Sequence, residues 1–238
     1  PADLDAAWAR RAPAIVPIGA LEWHGDHLPM GTDGFLADRF AERLATRTDG
    51  VLLPTLWTPM TTLPHRHSLQ VRPSGFRAVV DDTLAGLWMS GARRVAVVTG
   101  HYAQGHLIEL AESALGAMER YRDLRVFAAA PLEPLARPEL LDHAGRWETA
   151  QMLAIRPDLV RAEAVGEGSP RRTGTLGESP LLGAANEGDV VTEAATVAWL
   201  DWMERAKSEV ARGYARTFET YSSYVERYGD DWDAAIMK

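Results

Sequence analysis

The sequence predicts an α/β protein built on a mostly parallel sheet. Short apolar runs alternate with longer amphipathic stretches, which is the pattern of βαβ units. The strongest of these runs, Arg94-Val95-Ala96-Val97-Val98, is β-branched and almost unbroken, as suits a central strand covered on both faces. With 238 residues, 46% of them hydrophobic, the chain can bury a sizeable core as one domain.

Taken in order, Ala14 to Ile18 reads as the first strand. A helix from about Phe35 to Ala45 follows, with Leu36, Phe40 and Leu44 four residues apart. Val51 to Leu53 begins a second strand, and Pro54 marks its end or an edge. Ser74 to Ser90 is expected to be helical, with Ser74 as N-cap and Gly91 as stop. After the central strand come Gly100 to Gly105 and a helix carrying Leu107, Leu110, Ala114, Leu115 and Met118. Leu124 to Ala130 is the next strand, followed by a Pro-rich connection. A helical run opens near Asp142 and ends at Arg156-Pro157.

Between Gly166 and Asp189 no period survives, and the segment reads as a long surface loop that covers a site or meets a neighbouring subunit. A helical pattern returns from Thr192 to about Tyr228, with Gly213 as the place for a break. The expected organisation is a single domain over 1–238 with this C-terminal helical segment.

Composition excludes several chemistries. Cysteine is absent, so thiolate catalysis, Cys-rich zinc sites and disulfides are ruled out, and any metal must be held by His, Asp and Glu. A net charge of -8 argues against nucleic acid as partner. No window approaches an uninterrupted apolar membrane span and no secretory leader is visible, so a soluble, cytoplasmic protein is expected.

Residues able to bind metal gather where strands end, which in open parallel sheets is where sites form. Directly after the first strand the chain reads Gly19-Ala20-Leu21-Glu22-Trp23-His24-Gly25-Asp26-His27-Leu28-Pro29-Met30-Gly31-Thr32-Asp33. After the central strand comes Gly100-His101-Tyr102-Ala103-Gln104-Gly105-His106. A third cluster is Asp142-His143-Ala144-Gly145-Arg146-Trp147-Glu148-Thr149. Taken singly, Glu22 reads as a solvated carboxylate, Asp33 as a helix cap and His143 as a helix-terminus residue. Together, the three loops can supply the roughly six to eight donors that a binuclear metal centre needs.

These segments resemble the creatininase family. Pro17-Ile18-Gly19-Ala20-Leu21-Glu22-Trp23-His24-Gly25 through Leu28-Pro29 and Thr32-Asp33 is similar to its Pro-x-Gly-Ser-x-Glu-Gln-His-Gly-Pro-His-Leu-Pro pattern ending in Thr-Asp. Gly100-His101-Tyr102 resembles its Asn-Gly-His segment. His143-Ala144-Gly145 with Glu148-Thr149 resembles its His-Ala-Gly-x-x-Glu-Thr segment. The resemblance spans about residues 13 to 190. It implies a three-layer α/β/α domain, two divalent ions (zinc or manganese, with iron as a further candidate) and a homohexamer. One ion would be bound by Glu22, Asp33 and His101, and the second by His24, Asp33 and Glu148, with Asp33 as the bridge. His143 would contact substrate and shuttle a proton, Tyr102 and Trp23 would line the substrate pocket, and His27 would stand outside the ligand shell.

The departures bear on substrate. Ala103 and Gln104 replace the Glu-Asn that follows the His-Tyr pair in creatininase itself, where the Glu contributes to the metal site, so that carboxylate is missing here. Glu139 and Leu140 stand nearest to the pocket tryptophan and aspartate of creatininase itself. Trp23 and Asp26 replace Gln and Pro, and the Phe-Pro-Gly-Thr loop is not recognisable near His65-Arg66-His67-Ser68. The expected reaction is hydrolysis of a non-peptidic or cyclic C–N amide bond, with creatinine itself not the expected substrate. The alternatives are trimming of a modified peptide, metal-assisted enolate chemistry or amide formation, and an inactive scaffold. Arg66, Arg72, Arg171 and Arg172 are candidates to pair with an anionic substrate group.

Overall fold

Every residue of Ala14–Gly19 is buried, and this segment forms β1, an inner strand of the sheet. The computed structural model describes residues 2–228. Helix α1 (Ala2–Ala9) precedes β1 and α2 (Thr32–Thr48) follows it. Two short strands, β2 (Val51–Leu52) and β3 (Leu56–Trp57), then pair parallel with β1, Ala14 standing opposite Val51 and Ile18 opposite Leu56. They are two pieces of one edge, interrupted at Pro54, whose nitrogen has no hydrogen to give the ladder.

The chain continues through α3 (Pro73–Ser90), β4 (Arg94–Thr99), α4 (Gln104–Arg120), β5 (Arg125–Ala129) and α5 (Arg146–Ile155). A four-residue helix α6 (Pro170–Thr173) and two long helices, α7 (Ala185–Glu204) and α8 (Lys207–Tyr228), complete it. The strand order is β2-β1-β4-β5, with β3 also on β1, and every one of these pairs is parallel. Helices α2, α5 and α7 pack together on one face, and α3, α4 and α8 on the other, giving three α/β/α layers. From β1 the chain runs outward to β2 and β3, then returns to β4 on the opposite side. Loops leaving β1 and β4 therefore diverge, and a crevice opens above these two neighbouring strands.

The core lies on both sides of the sheet. Phe40 and Trp199 meet edge to face at 5.8 Å, and the Trp199 indole donates to the Pro131 carbonyl at 3.0 Å. Full burial of such a side chain stabilises the fold by about 1.5–3 kcal/mol. On β5, the sheet's edge strand, the Tyr214 hydroxyl accepts from the Ala128 N–H and donates to the Val126 carbonyl, so α8 closes an otherwise unpaired edge.

Several expectations need adjustment. Arg72, not Ser74, is the N-cap of α3, because Pro73 takes the first helical position, where its missing hydrogen is no loss. Gly91 does end that helix, with φ 112°. Helix α2 starts at Thr32, so Asp33 lies inside its first turn and does not cap it. The Gly166–Asp189 segment is not structureless: it holds α6, and α7 already begins at Ala185. The break in the C-terminal helical stretch falls at Arg205–Ala206 instead of Gly213. There the Glu209 carboxylate accepts the Ala206 N–H at 3.0 Å and starts α8. Helix α1 and strand β3 had no sequence signal strong enough to read.

Candidate metal centre

Three loops at the C-terminal ends of β1, β4 and β5 bring Glu22, His24, Asp33, His101, His143 and Glu148 together. Glu22 and His24 leave β1 on the loop that also delivers Asp33 to the first turn of α2. His101 stands two residues beyond β4. His143 and Glu148 flank the turn that starts α5. All but His143 are essentially sealed from solvent, and the His143 side chain is 14% exposed.

Two ligand-like trios share Asp33. In Glu22, Asp33 and His101, Nδ1 of His101 lies 2.9 Å from Glu22 Oε2 and 3.2 Å from Asp33 Oδ2. In His24, Asp33 and Glu148, Nε2 of His24 lies 3.0 Å from Asp33 Oδ1 and 3.5 Å from Glu148 Oε2. A further grouping joins Glu22, His24 and His143, with His143 Nδ1 3.8 Å from Glu22 Oε2. Glu22 Oε2, His24 Nε2 and Asp33 Oδ2 are buried and find no hydrogen-bond partner beyond the charged groups of this cluster. Buried polar atoms are rarely left so. Orphans from three residues aimed at one place, in an all-oxygen-and-imidazole set, fit divalent cations.

Main-chain carbonyls orient each ring. A carbonyl can only accept, so the facing ring nitrogen carries the hydrogen and the other nitrogen is left for the centre. His24 donates through Nδ1 to the Glu22 carbonyl at 3.0 Å, His101 through Nε2 to Met60 at 2.8 Å, and His143 through Nε2 to Trp23 at 3.0 Å. The Leu63 N–H donates to Glu22 Oε1, and the Ala144 N–H to Glu148 Oε2 at 2.6 Å.

Electrostatics reflect the crowding. Burial alone would lower His24, but the carboxylates of Asp33, Glu148 and Glu22 outweigh it and raise the ring to about 10. Burial also opposes ionisation of His101, yet Glu22 and Asp33 carry it well above its usual value. Burial would raise Glu22 and Asp33, and the adjacent imidazoles hold both low instead. Glu148 is pushed well above the carboxylate range by burial and by its neighbours Asp142 and Asp33. Protonated imidazoles thus supply positive charge to a cluster of carboxylates, and cation binding would displace those protons. His143 differs: burial, with charged His24 beside it, lowers it to about 4, so its ring is neutral.

The remaining residues singled out in the sequence lie around this group. His27 donates toward the Ala144 carbonyl at 3.0 Å and joins none of the three groupings found among the described residues. The Trp23 ring stacks on His65 at 4.7 Å and also abuts Gly174, while its carbonyl accepts from His143. Tyr102 follows His101, with its hydroxyl buried and unpartnered. Ala103 is the N-cap of α4, and Leu140 is buried in the core while Glu139 pairs with Arg137 at the surface. Arg66, Arg72, Arg171 and Arg172 are all exposed. Sequence reading missed Met60, Leu63 and Ser68, whose Oγ accepts the Trp23 N–H at 3.0 Å. Met60 and Leu63 act through the backbone, which leaves no residue-type signature.

Comparison with known proteins gives the same direction. Residues 2–216 match the family model described as Creatininase: Creatinine amidohydrolase. The chain is 28% identical to a creatinine amidohydrolase of Pseudomonas putida over 182 residues, 66% of this chain and 69% of the relative. It is 29% identical to the mycofactocin precursor peptide peptidase of Mycolicibacterium smegmatis, over 60% of this chain and 58% of that protein. A 3-dehydro-scyllo-inosose hydrolase of Thermotoga maritima is 30% identical over 37% of this chain and 29% of its own. A crystal structure of creatinine amidohydrolase superposes with a TM-score of 0.74 at 23% identity, covering 85% of this chain and 93% of the other. Creatininase structures of Zn-Zn type and with Mn share the fold, each with a TM-score of 0.74.

Proposed function

This chain belongs to the creatininase family, and from that membership we propose that it hydrolyses a non-peptidic or cyclic C–N amide bond of a small molecule at a two-ion centre. The observation that carries the reading is the pair of buried trios sharing Asp33. Glu22, Asp33 and His101 would hold one ion, and His24, Asp33 and Glu148 the other. Zinc and manganese, the metals of the solved creatininases, suit these donors, as does iron. When bound, such ions polarise a carbonyl and acidify water.

The chain's own residues do the rest. His143 presents a hydrogen-free Nδ1 to the centre, because Nε2–H is committed to the Trp23 carbonyl. It takes the proton of the attacking water at Nδ1 and returns it to the departing nitrogen. As the most exposed member of the group, it lies on the side from which substrate arrives, with Tyr102 and Trp23 as the adjacent walls. Leu140 is committed to the core, so the pocket aspartate of creatininase has no counterpart there and creatinine is not the expected substrate. The likeness to a precursor peptide peptidase supports a second reading, in which the substrate is the end of a modified peptide. Leu181, Leu182, Val190 and Val197 are exposed on and beside α7, apolar surface suited to a homo-oligomer such as the family's hexamer.

Metal analysis coupled to assays on lactams, formamides and short peptides tests the proposal. About two ions per chain and metal-dependent cleavage are expected, with losses of at least roughly a hundredfold in Glu22→Gln and Asp33→Asn. A chain that binds no divalent ion would refute it.

A further inference from the structure

We propose that Asp142 is the positioning residue for Glu148, so that one of the two ions depends on a carboxylate that never touches it. This rests on the two-ion reading above. Asp142 belongs to none of the groupings of possible ligands among the described residues. It is 8% exposed, and both its oxygens are spent on the start of α5: Oδ2 accepts the Trp147 N–H at 2.7 Å and Oδ1 the Glu148 N–H at 3.1 Å. A helix leaves its first N–H groups without intrahelical partners, and here the N-cap is Gly145, which has no side chain to take them. The Arg146 N–H is met by the Glu178 carbonyl. Asp142 therefore closes the remaining first turn from outside the helix, and Glu148 sits on that turn.

Two further features fix the same geometry. Between Asp142 and α5 the chain reverses through Ala144, whose φ of 50° is a left-handed backbone that alanine does not adopt freely. That reversal aims the Ala144 N–H at Glu148 Oε2 and the Ala144 carbonyl at His27. Space for the carboxylate is also kept clear. A Cβ on Gly145 would lie 2.8 Å from Asp142 Cγ, and one on Gly177 2.7 Å from Asp142 Cβ. His143, by contrast, is anchored independently, exchanging both backbone hydrogen bonds with Leu176 at 3.0 and 2.8 Å. Glu22, Asp33 and His101 are carried by other segments, at the ends of β1 and β4 and the start of α2, and take no hydrogen bond from Asp142. Loss of Asp142 should thus displace Glu148 and spare the other trio.

Calorimetric titration of metal-free protein with zinc, backed by elemental analysis, tests this without an activity assay. The unsubstituted chain should take up two ions. Asp142→Ala should keep one at unchanged affinity and bind the other about 10- to 100-fold more weakly. Asp142→Asn, which retains one acceptor oxygen, should fall between them, and it carries the test alone if the alanine variant does not fold. Unchanged affinity for both ions in the variants overturns the positioning role and leaves the two-ion reading intact. Equal weakening of both ions overturns it too, since that marks general loosening. No uptake by the unsubstituted chain removes the two-ion reading itself and this role with it.

Discussion

Gly100→Ala should dismantle the proposed two-ion centre without replacing any of its ligands. Gly100 follows β4, pairs with β1 through an N–H to the Ile18 carbonyl at 3.0 Å, and immediately precedes His101. A Cβ built there would lie 2.6 Å from the Asp33 carbonyl carbon and 2.8 Å from its Cα, closer still to the carbonyl oxygen. Ordinary contact begins at 3.4 Å, so the start of α2 and the end of β4 must part by about 0.8 Å or more. Both partners are backbone, so neither can swing aside as a side chain would. Overpacking of this kind costs about 1–3 kcal/mol. It separates His101 from Asp33, whose side chains now stand 3.2 Å apart. Displacement by about 1 Å at a reacting centre costs on the order of a hundredfold in rate. Thermal melts and metal content after dialysis would measure both effects. Gly116→Ala is the control: this helical glycine has nothing within 4 Å of its missing Cβ, and alanine should stabilise by about 0.5–1 kcal/mol. A Gly100→Ala protein melting within a degree of the unsubstituted chain and retaining both ions would refute the reasoning.

Two further outcomes concern the frame. Tyr214→Phe removes a hydroxyl that bonds both the Ala128 N–H and the Val126 carbonyl. The expected cost is about 2 kcal/mol, a fall in Tm of roughly 4–8 °C, and a melting point unchanged within a degree would contradict it. Glu133 is raised by burial to about 7, with the Ala130 N–H bond acting in the opposite direction. A carboxyl raised in the folded state holds its proton there while the unfolded chain ionises. Stability should therefore fall as pH climbs from about 4.5 to about 7, and stay flat beyond. Glu133→Gln should flatten that decline and stabilise the protein at pH 8 by roughly 1–2 kcal/mol, after allowance for the side chain's partial exposure. Urea titrations at pH 4 and pH 8 provide the comparison, and an equal effect at both would show that Glu133 is not the group responsible.

The parts of the fold that were legible in the sequence are those with a strong period or a hard boundary. The run Arg94 to Val98 could only be a covered strand, and Gly91 ends α3 because its backbone is left-handed. The shortest pieces were legible only in part: the apolar run at Val51 marked β2, but β3 holds two residues, too few for a period to show. The break between α7 and α8 was misplaced at Gly213 because glycine alone is a weak helix breaker. The actual break is set by the Glu209 carboxylate reaching back to Ala206, a contact that depends on where the helix starts. At the site, Glu22, His24, Asp33, His101 and Glu148 stood out because hard donors clustered just beyond apolar runs. Asp142 stood in the same cluster, but its bonds to Trp147 and Glu148 follow from the path of a turn through Ala144, which residue types do not specify.

The choice of imidazole nitrogen follows the same division. His24 turns Nε2 to the centre, whereas His101 and His143 turn Nδ1, and in each case a backbone carbonyl makes the choice. The carbonyl that fixes His143 belongs to Trp23, adjacent to both Glu22 and His24 in the chain. A change in the path of this loop therefore moves two side chains of the candidate centre, Glu22 and His24, and reorients His143 with them. The Trp23 ring stacks on His65 and abuts Gly174, so two neighbouring loops restrain that path. Replacing the family's glutamine with tryptophan at this position thus adds a lock on the site's backbone, whatever the ring offers to substrate.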